Sequence, residues 1–145
     1  MNIAFFLLPK NKVSFLCEDF TLRKAIGKMK HSGFTDMPVI TKEGKYVGTI
    51  NGGDFLFTIM ENLSQKQAEP INSLLDNRCV KDVLQPNTNP PVYISATVEE
   101  LLIRSMNQNF VPVVDDTGSF IGIVTRQDII RYFYNDTLKK RDTAS

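Results

Sequence analysis

The residues best placed to do chemistry are Thr125, Arg126 and Asp128, three side chains within four positions where a helix is expected to begin. A helix N-terminus exposes backbone N–H groups and the positive end of the dipole, so a hydroxyl and a guanidinium there suit a phosphate. A carboxylate three residues after the hydroxyl can accept hydrogen bonds from two neighbouring hydroxyls, as a ribose offers. The set therefore fits a ribose phosphate. The competing reading is structural, because Thr-x-x-Asp is also an ordinary capping arrangement. Other chemistry finds little support. Cys17, Cys79 and His31 carry no catalytic spacing and no Walker-type loop is present, so no enzyme activity is expected. Two cysteines and one histidine scattered over the chain do not make a structural zinc site, and both thiols are expected to be free and buried. No metal or cofactor is called for, although Mg²⁺ can arrive with a triphosphate.

The motif sits inside a duplication that must position it. Pro38, Gly44, Gly48 and Asp54 recur as Pro112, Gly118, Gly122 and Asp128, each displaced by 74 positions. A repeated unit of this size implies two similar lobes related by a pseudo-twofold axis, with a ligand cleft between them. Each unit reads as strand, helix, strand, strand, helix, an α/β (α+β) fold. In the first, Leu22, Ala25, Ile26 and Met29 form one apolar helical stripe behind Thr21, a residue suited to the N-cap. In the second, Val98, Leu101, Leu102, Ser105 and Met106 do the same behind Thr97, with the Thr-x-x-Glu form of a capping box. Met37 to Ile40 with Tyr46 to Ile50, and Val111 to Val114 with Phe120 to Val124, read as hairpins closed by turns ending in Gly44 and Gly118. Gly48 and Gly122 interrupt strands that favour bulky residues, so a close approach by backbone or ligand is expected there. The entering strands are Val13 to Leu16 and Val92 to Ile94. The closing helices begin near Asp54 and Asp128, with Phe55, Leu56 and Ile59, or Ile129, Ile130 and Phe133, on their apolar sides. The expected divisions are a first repeat over 1–63, a connector over 64–78 with a short helix at Ile71 to Leu75, a second repeat over 79–136, and a tail over 137–145 that frays from Lys139.

Composition bounds the partners. With 17 basic and 16 acidic residues the formal charge is +1, and the longest basic run is Lys139-Lys140-Arg141, so neither nucleic acid nor an anionic membrane is an expected partner. The apolar opening Ile3 to Leu8 ends in Pro9, far short of the roughly 20 residues that span a bilayer. It also lacks the pattern of a signal peptide, and a cytoplasmic location is expected.

The strings GFTDMPVITKEGKYVGTINGGDF and FVPVVDDTGSFIGIVTRQDI, with the duplication and the element order, resemble a tandem pair of CBS domains, also called a Bateman module. The most specific piece is Gly122 to Asp128, which is similar to that family's Gly-h-x-Thr/Ser-x-x-Asp signature, where h is apolar. The resemblance implies a regulatory module that binds an adenine nucleotide, with Asp128 on ribose hydroxyls and Thr125 on phosphate. It further implies a site combining the entering strand and pre-proline segment of one repeat with the Thr-x-x-Asp helix of the other. That places Val13, Ser14, Phe15, Thr35, Asp36, Met37 and Pro38 with Thr125, Arg126 and Asp128, the backbone of Ser14 to Phe15 and Thr35 to Met37 reading the adenine edge. Phe15 and Met37 are equally readable as core, and Thr35 as a turn residue.

The repeats are not equivalent. Asn51 and Gly52 stand where Thr125 and Arg126 recur, so Asn51, Asp54, Val92 and Phe110 would form a weaker second site, empty or filled by Phe110. Asn11 to Leu16, Gly33 to Thr35 and Gly122 to Arg126 look like the ligand-binding stretches of small stand-alone bacterial members, some of which bind cyclic di-AMP. Asp128 departs from those and favours a free ribose, as in AMP, ADP or ATP. The resemblance also implies a homodimer through helices, with Phe55, Phe57, Ile129, Tyr132 and Phe133 as surface or core, and an unidentified regulated protein. The alternative is a ligand-free structural or dimerisation protein acting through protein partners alone.

Overall fold

The computed structural model describes residues 1–33 and 35–144, the side chains of 137–144 excepted. The chain opens with a 3₁₀ turn (Ile3–Phe6), a two-residue strand β1 (Leu8–Pro9) and a second 3₁₀ turn (Lys10–Lys12). Two compact units follow from the pattern of contacts. One is Ser14–Pro90; the other joins Met1–Val13 to the chain from Pro91 onward.

The Ser14–Pro90 unit contains β2 (Leu16–Cys17), α1 (Leu22–Ser32), β3 (Asp36–Ile40), β4 (Tyr46–Asn51), α2 (Gly52–Leu63), α3 (Ile71–Asn77) and α4 (Val80–Val83). Strand β2 runs parallel to β3, and β3 pairs antiparallel with β4. Thr21 is the N-cap of α1, its hydroxyl accepting from the Lys24 N–H, and the expected stripe is buried at Leu22, Ala25 and Met29. These side chains close a core with Leu16, Met37, Val39, Ile50, Phe55 and Val80. Burial of each large side chain stabilises the unit by ~1.5–3 kcal/mol relative to exposure. The connector helix is two residues longer than expected, and α4 was not expected at all.

In the other unit, β5 (Val92–Tyr93), α5 (Val98–Ser105), β6 (Phe110–Val114), β7 (Phe120–Thr125) and α6 (Arg126–Ala144) repeat the order. Its sheet runs β1-β7-β6-β5. The added edge strand comes from the N-terminal segment, whose Ile3 and Phe6 enter the core with Leu101, Val111, Val113, Val124 and Ile129. Phe6 and Tyr132 meet edge to face at 5.3 Å. The apolar opening is therefore core-forming, and among the described residues no helix is long and apolar enough to cross a membrane.

Several sequence expectations need correction. Val13, Ser14 and Phe15 precede the entering strand, which starts only at Leu16, because the Val13 N–H is used to close the turn on the Lys10 carbonyl. Leu56 and Ile130 are solvent-exposed, since helical spacing turns them away from the buried Phe55 and Ile129 beside them. Cys17 and Cys79 are free, as expected, but half-buried. The frayed end expected over Lys139–Ser145 falls on residues whose side chains lie outside the described residues, as does Ser145 entirely; the backbone of α6 is helical to Ala144.

Candidate functional site

Strand β7 hands over to α6 at Thr125, which pairs across the sheet with Phe110. Its hydroxyl accepts a hydrogen bond from the Asp128 N–H at 3.1 Å, so the threonine does cap the helix. Asp128 is half-buried, its side chain 44% exposed, with Arg131 at 3.6 Å as its ion-pair partner. A pair of that length and exposure contributes little, and it leaves the carboxylate with unused acceptor positions.

Arg126 is placed differently from expectation. Nε donates to the Ser105 carbonyl at 2.7 Å, Nη2 to the Met106 carbonyl at 3.3 Å, and Nη1 to Asn109 Oδ1 at 3.0 Å. Its backbone N–H donates to the Asn109 carbonyl. Ser105 and Met106 end α5, where carbonyls lack helical partners and the dipole is negative, so the guanidinium serves as a C-terminal cap. The cation that the sequence assigned to phosphate is engaged in holding a neighbouring helix.

The equivalent residues in the first repeat form a closed arrangement. Asn51 Oδ1 accepts from the Asp54 N–H at 3.0 Å, and Asp54 Oδ2 accepts from the Asn51 N–H at 2.9 Å. This is a reciprocal capping box, in which the aspartate completes the helix start.

The two recurring glycines explain how neighbouring chain reaches these strands. Leu8 and Pro9 pair antiparallel with Ile123 and Gly122, and a Cβ at Gly122 would overlap the Leu8 carbonyl oxygen. At Gly48 the neighbour is the Leu84 to Asn89 loop, and a Cβ would lie 3.0 Å from Thr88 Oγ1. Thr88 Oγ1 accepts from the Thr49 N–H at 3.0 Å and donates to the Thr49 carbonyl at 2.9 Å. One hydroxyl thus satisfies both backbone groups of a residue at the position that Ile123 holds in β7. Tyr46 completes the network, donating to the Asn89 carbonyl at 2.7 Å, and burial pushes its phenol well above the ordinary tyrosine value. The expected close approaches at both glycines are present, one by backbone and one by side chains.

The remaining candidates divide by burial. Met37 is 0% exposed and Val92 2%, so both side chains are core, as is Pro38. Val13, Ser14, Phe15, Asp36 and Phe110 are half-buried, and Thr35 and Asn51 are exposed. Asp36 pairs across the sheet with Asn51, as Phe110 does with Thr125. Phe34 lies outside the described residues. The Phe15 carbonyl, expected to read adenine, already accepts from Lys28 Nζ. Sequence reasoning missed Lys28, Thr88 and Asn109, none of which belongs to a local motif. Among the described residues, no group of three or more His, Cys, Asp or Glu side chains is placed to hold a metal.

The CBS domain family model matches residues 8–61 and 80–135. Among solved structures, CbpB in complex with c-di-AMP is 22% identical with a TM-score of 0.88, covering 99% of this chain and 91% of that one. CBSX2 in complex with AMP is 22% identical with a TM-score of 0.71, covering 94% and 98%. These two likenesses establish the fold. The A-adding tRNA nucleotidyltransferase of Aquifex aeolicus is 29% identical over 122 residues, which are 84% of this chain and only 13% of that relative.

Proposed function

The chain belongs to the CBS domain family, and from that premise we propose that it is a regulatory module that binds an adenine nucleotide and does no catalysis of its own. The observation that carries the reading is the half-open cap at the start of α6. Thr125 fulfils the structural role of a cap, yet Asp128 is left with acceptor capacity, beside backbone N–H groups at a helix start. A ribose bearing a phosphate uses both features. The fold shared with proteins solved with c-di-AMP and with AMP supports this ligand class. Ser14, Phe15, Thr35 and Asp36, with the backbone of Met37 and Pro38, are the proposed ligand residues of the Ser14–Pro90 unit; in the other unit Val13 is proposed likewise, and Arg126 acts by positioning the motif against α5. Asn51 and Asp54, with Val92 and Phe110, serve the fold before they serve a second ligand.

Occupancy changes conformation or partner binding only to the extent that the ligand favours one state over another. A second copy of the chain and a separate regulated protein are the proposed recipients. Leu56, Phe57, Met60 and Leu63 are 58%, 64%, 60% and 61% exposed on α2, which supports an apolar helical face for the homodimer. Isothermal titration calorimetry of nucleotide-stripped protein with AMP, ATP and cyclic di-AMP tests the reading. Micromolar or tighter binding of one ligand is expected; no heat with any of them would leave the alternative, a protein acting through protein partners alone.

A further inference from the structure

Within the Ser14–Pro90 unit, α1 grips the segment ahead of β2 through side chains the sequence motif does not include. Lys28 Nζ donates to the Phe15 carbonyl, and Ser32 Oγ lies 3.5 Å from Ser14 Oγ. Lys28 and Ser32 are four residues apart on the helix, so they occupy one face. All four residues are half-buried. Among the described residues no carboxylate pairs with Lys28. The charge that acts on Lys28 is a like one. Burial, and then the nearby Lys24, push its ammonium below the ordinary lysine value. Aromatic faces give partial compensation, with Lys28 5.1 Å from the Phe15 ring centre and Lys24 4.0 Å from that of Phe20.

Lys24 and Lys28 stand four residues apart on one helix face and repel each other, a repulsion that an anion joining them would relieve. The Lys28 ammonium has three donors and gives one to Phe15. At 3.5 Å the Ser14 and Ser32 hydroxyls meet at the outer limit of hydrogen bonding, so each retains capacity for a stronger acceptor. We propose that Lys28, Ser14 and Ser32 form a binding site for a phosphate group. Lysine suits this as a point charge, and the hydroxyls supply direction. The phosphate comes either as a free anion or as part of the nucleotide; only the second source rests on the function proposed above.

The test follows the backbone amide NMR signals of Ser14, Phe15 and Ser32 during titration with inorganic pyrophosphate, against chloride at equal ionic strength. Saturable shifts at these three amides are expected with pyrophosphate and not with chloride. Lys28→Met should weaken the response about tenfold and Lys28→Arg should restore most of it. Ser32→Ala, which leaves the lysine in place, should weaken it less and guards against a folding defect in Lys28→Met. Shifts that are absent, that chloride reproduces, or that Lys28→Met and Ser32→Ala leave unchanged would overturn the site. Adenosine and ATP then separate the sources. A loss on Lys28→Met for ATP but not adenosine assigns the site to the nucleotide, whereas indifference of both assigns it to free phosphate. If neither ATP nor the other adenine ligands bind the wild-type protein, the nucleotide reading fails, and the pyrophosphate result alone still decides the site.

Discussion

The starts of α2 and α6 occupy the same place in the two repeats and carry the same aspartate, yet they use it differently. In α2, Asp54 turns back to the Asn51 N–H and closes a reciprocal box. In α6, Thr125 provides one half of such a box, and Asp128 leans toward Arg131 at 3.6 Å. Arg126, which has no counterpart at Gly52, ties this start to the end of α5. A helix start fastened from outside by an arginine does not need its aspartate for capping. The contrast teaches that duplication preserved the position of the carboxylate while its neighbours decided whether it closes the helix cap or keeps acceptor capacity.

The largest effect should come from the glycines that admit neighbouring chain. Gly122→Ala puts a Cβ into the Leu8 carbonyl, a backbone group that cannot yield without loss of the β1–β7 pairing, and should cost about 3 kcal/mol or more. Gly48→Ala shares with Gly122→Ala the backbone strain of a φ of 157° but meets only the ends of the Thr88 and Leu84 side chains, so it should cost about 2 kcal/mol. Urea unfolding of both variants compares them, and equal costs would break the distinction between a backbone and a side-chain approach. Next, Arg126→Met removes three guanidinium hydrogen bonds at the α5 terminus and should destabilise by about 2 kcal/mol, read as a lowered Tm. Thr88→Val leaves the Thr49 backbone groups without their shared hydroxyl and should cost about 1–2 kcal/mol by the same measurement.

The smallest effect at neutral pH concerns Tyr46, whose phenol is held protonated by burial against the weaker opposing influence of Thr49. The folded value is raised above the unfolded one, so the unfolded chain releases the proton first. Tyr46 therefore contributes stability below about pH 10 and loses it as the pH rises further. Tyr46→Phe should be less stable than wild type near neutrality by about 1 kcal/mol and should show a flatter decline in alkali. Parallel alkaline declines in Tm would remove that assignment.

How much the sequence revealed follows the range of each interaction. Thr21 and Thr97 cap their helices as expected, since a cap reaches only three residues along the chain. The hairpins and their Gly44 and Gly118 turns, with φ of 89° and 85°, were equally local. Gly48 and Gly122 signalled a close approach but could not name the partner, because Leu8 and Thr88 are far away in sequence. Arg126 misled for the same reason: its partners Ser105, Met106 and Asn109 lie about twenty residues upstream. Of the candidate site, Thr125 and Asp128 were readable from spacing, whereas the engagement of the Phe15 carbonyl by Lys28 depends on packing that no periodicity encodes.

The most direct test of the central claim is a crossed pair of variants, Asp128→Asn and Asp54→Asn, each measured by calorimetry with AMP, ATP and cyclic di-AMP and by thermal unfolding. If the α6 carboxylate serves the ligand and the α2 carboxylate serves the fold, Asp128→Asn weakens nucleotide binding at least about tenfold with little change in Tm. Asp54→Asn then lowers stability by about 1 kcal/mol and leaves the affinity intact. The reverse pattern, or equal effects of the two substitutions on binding, would contradict the account.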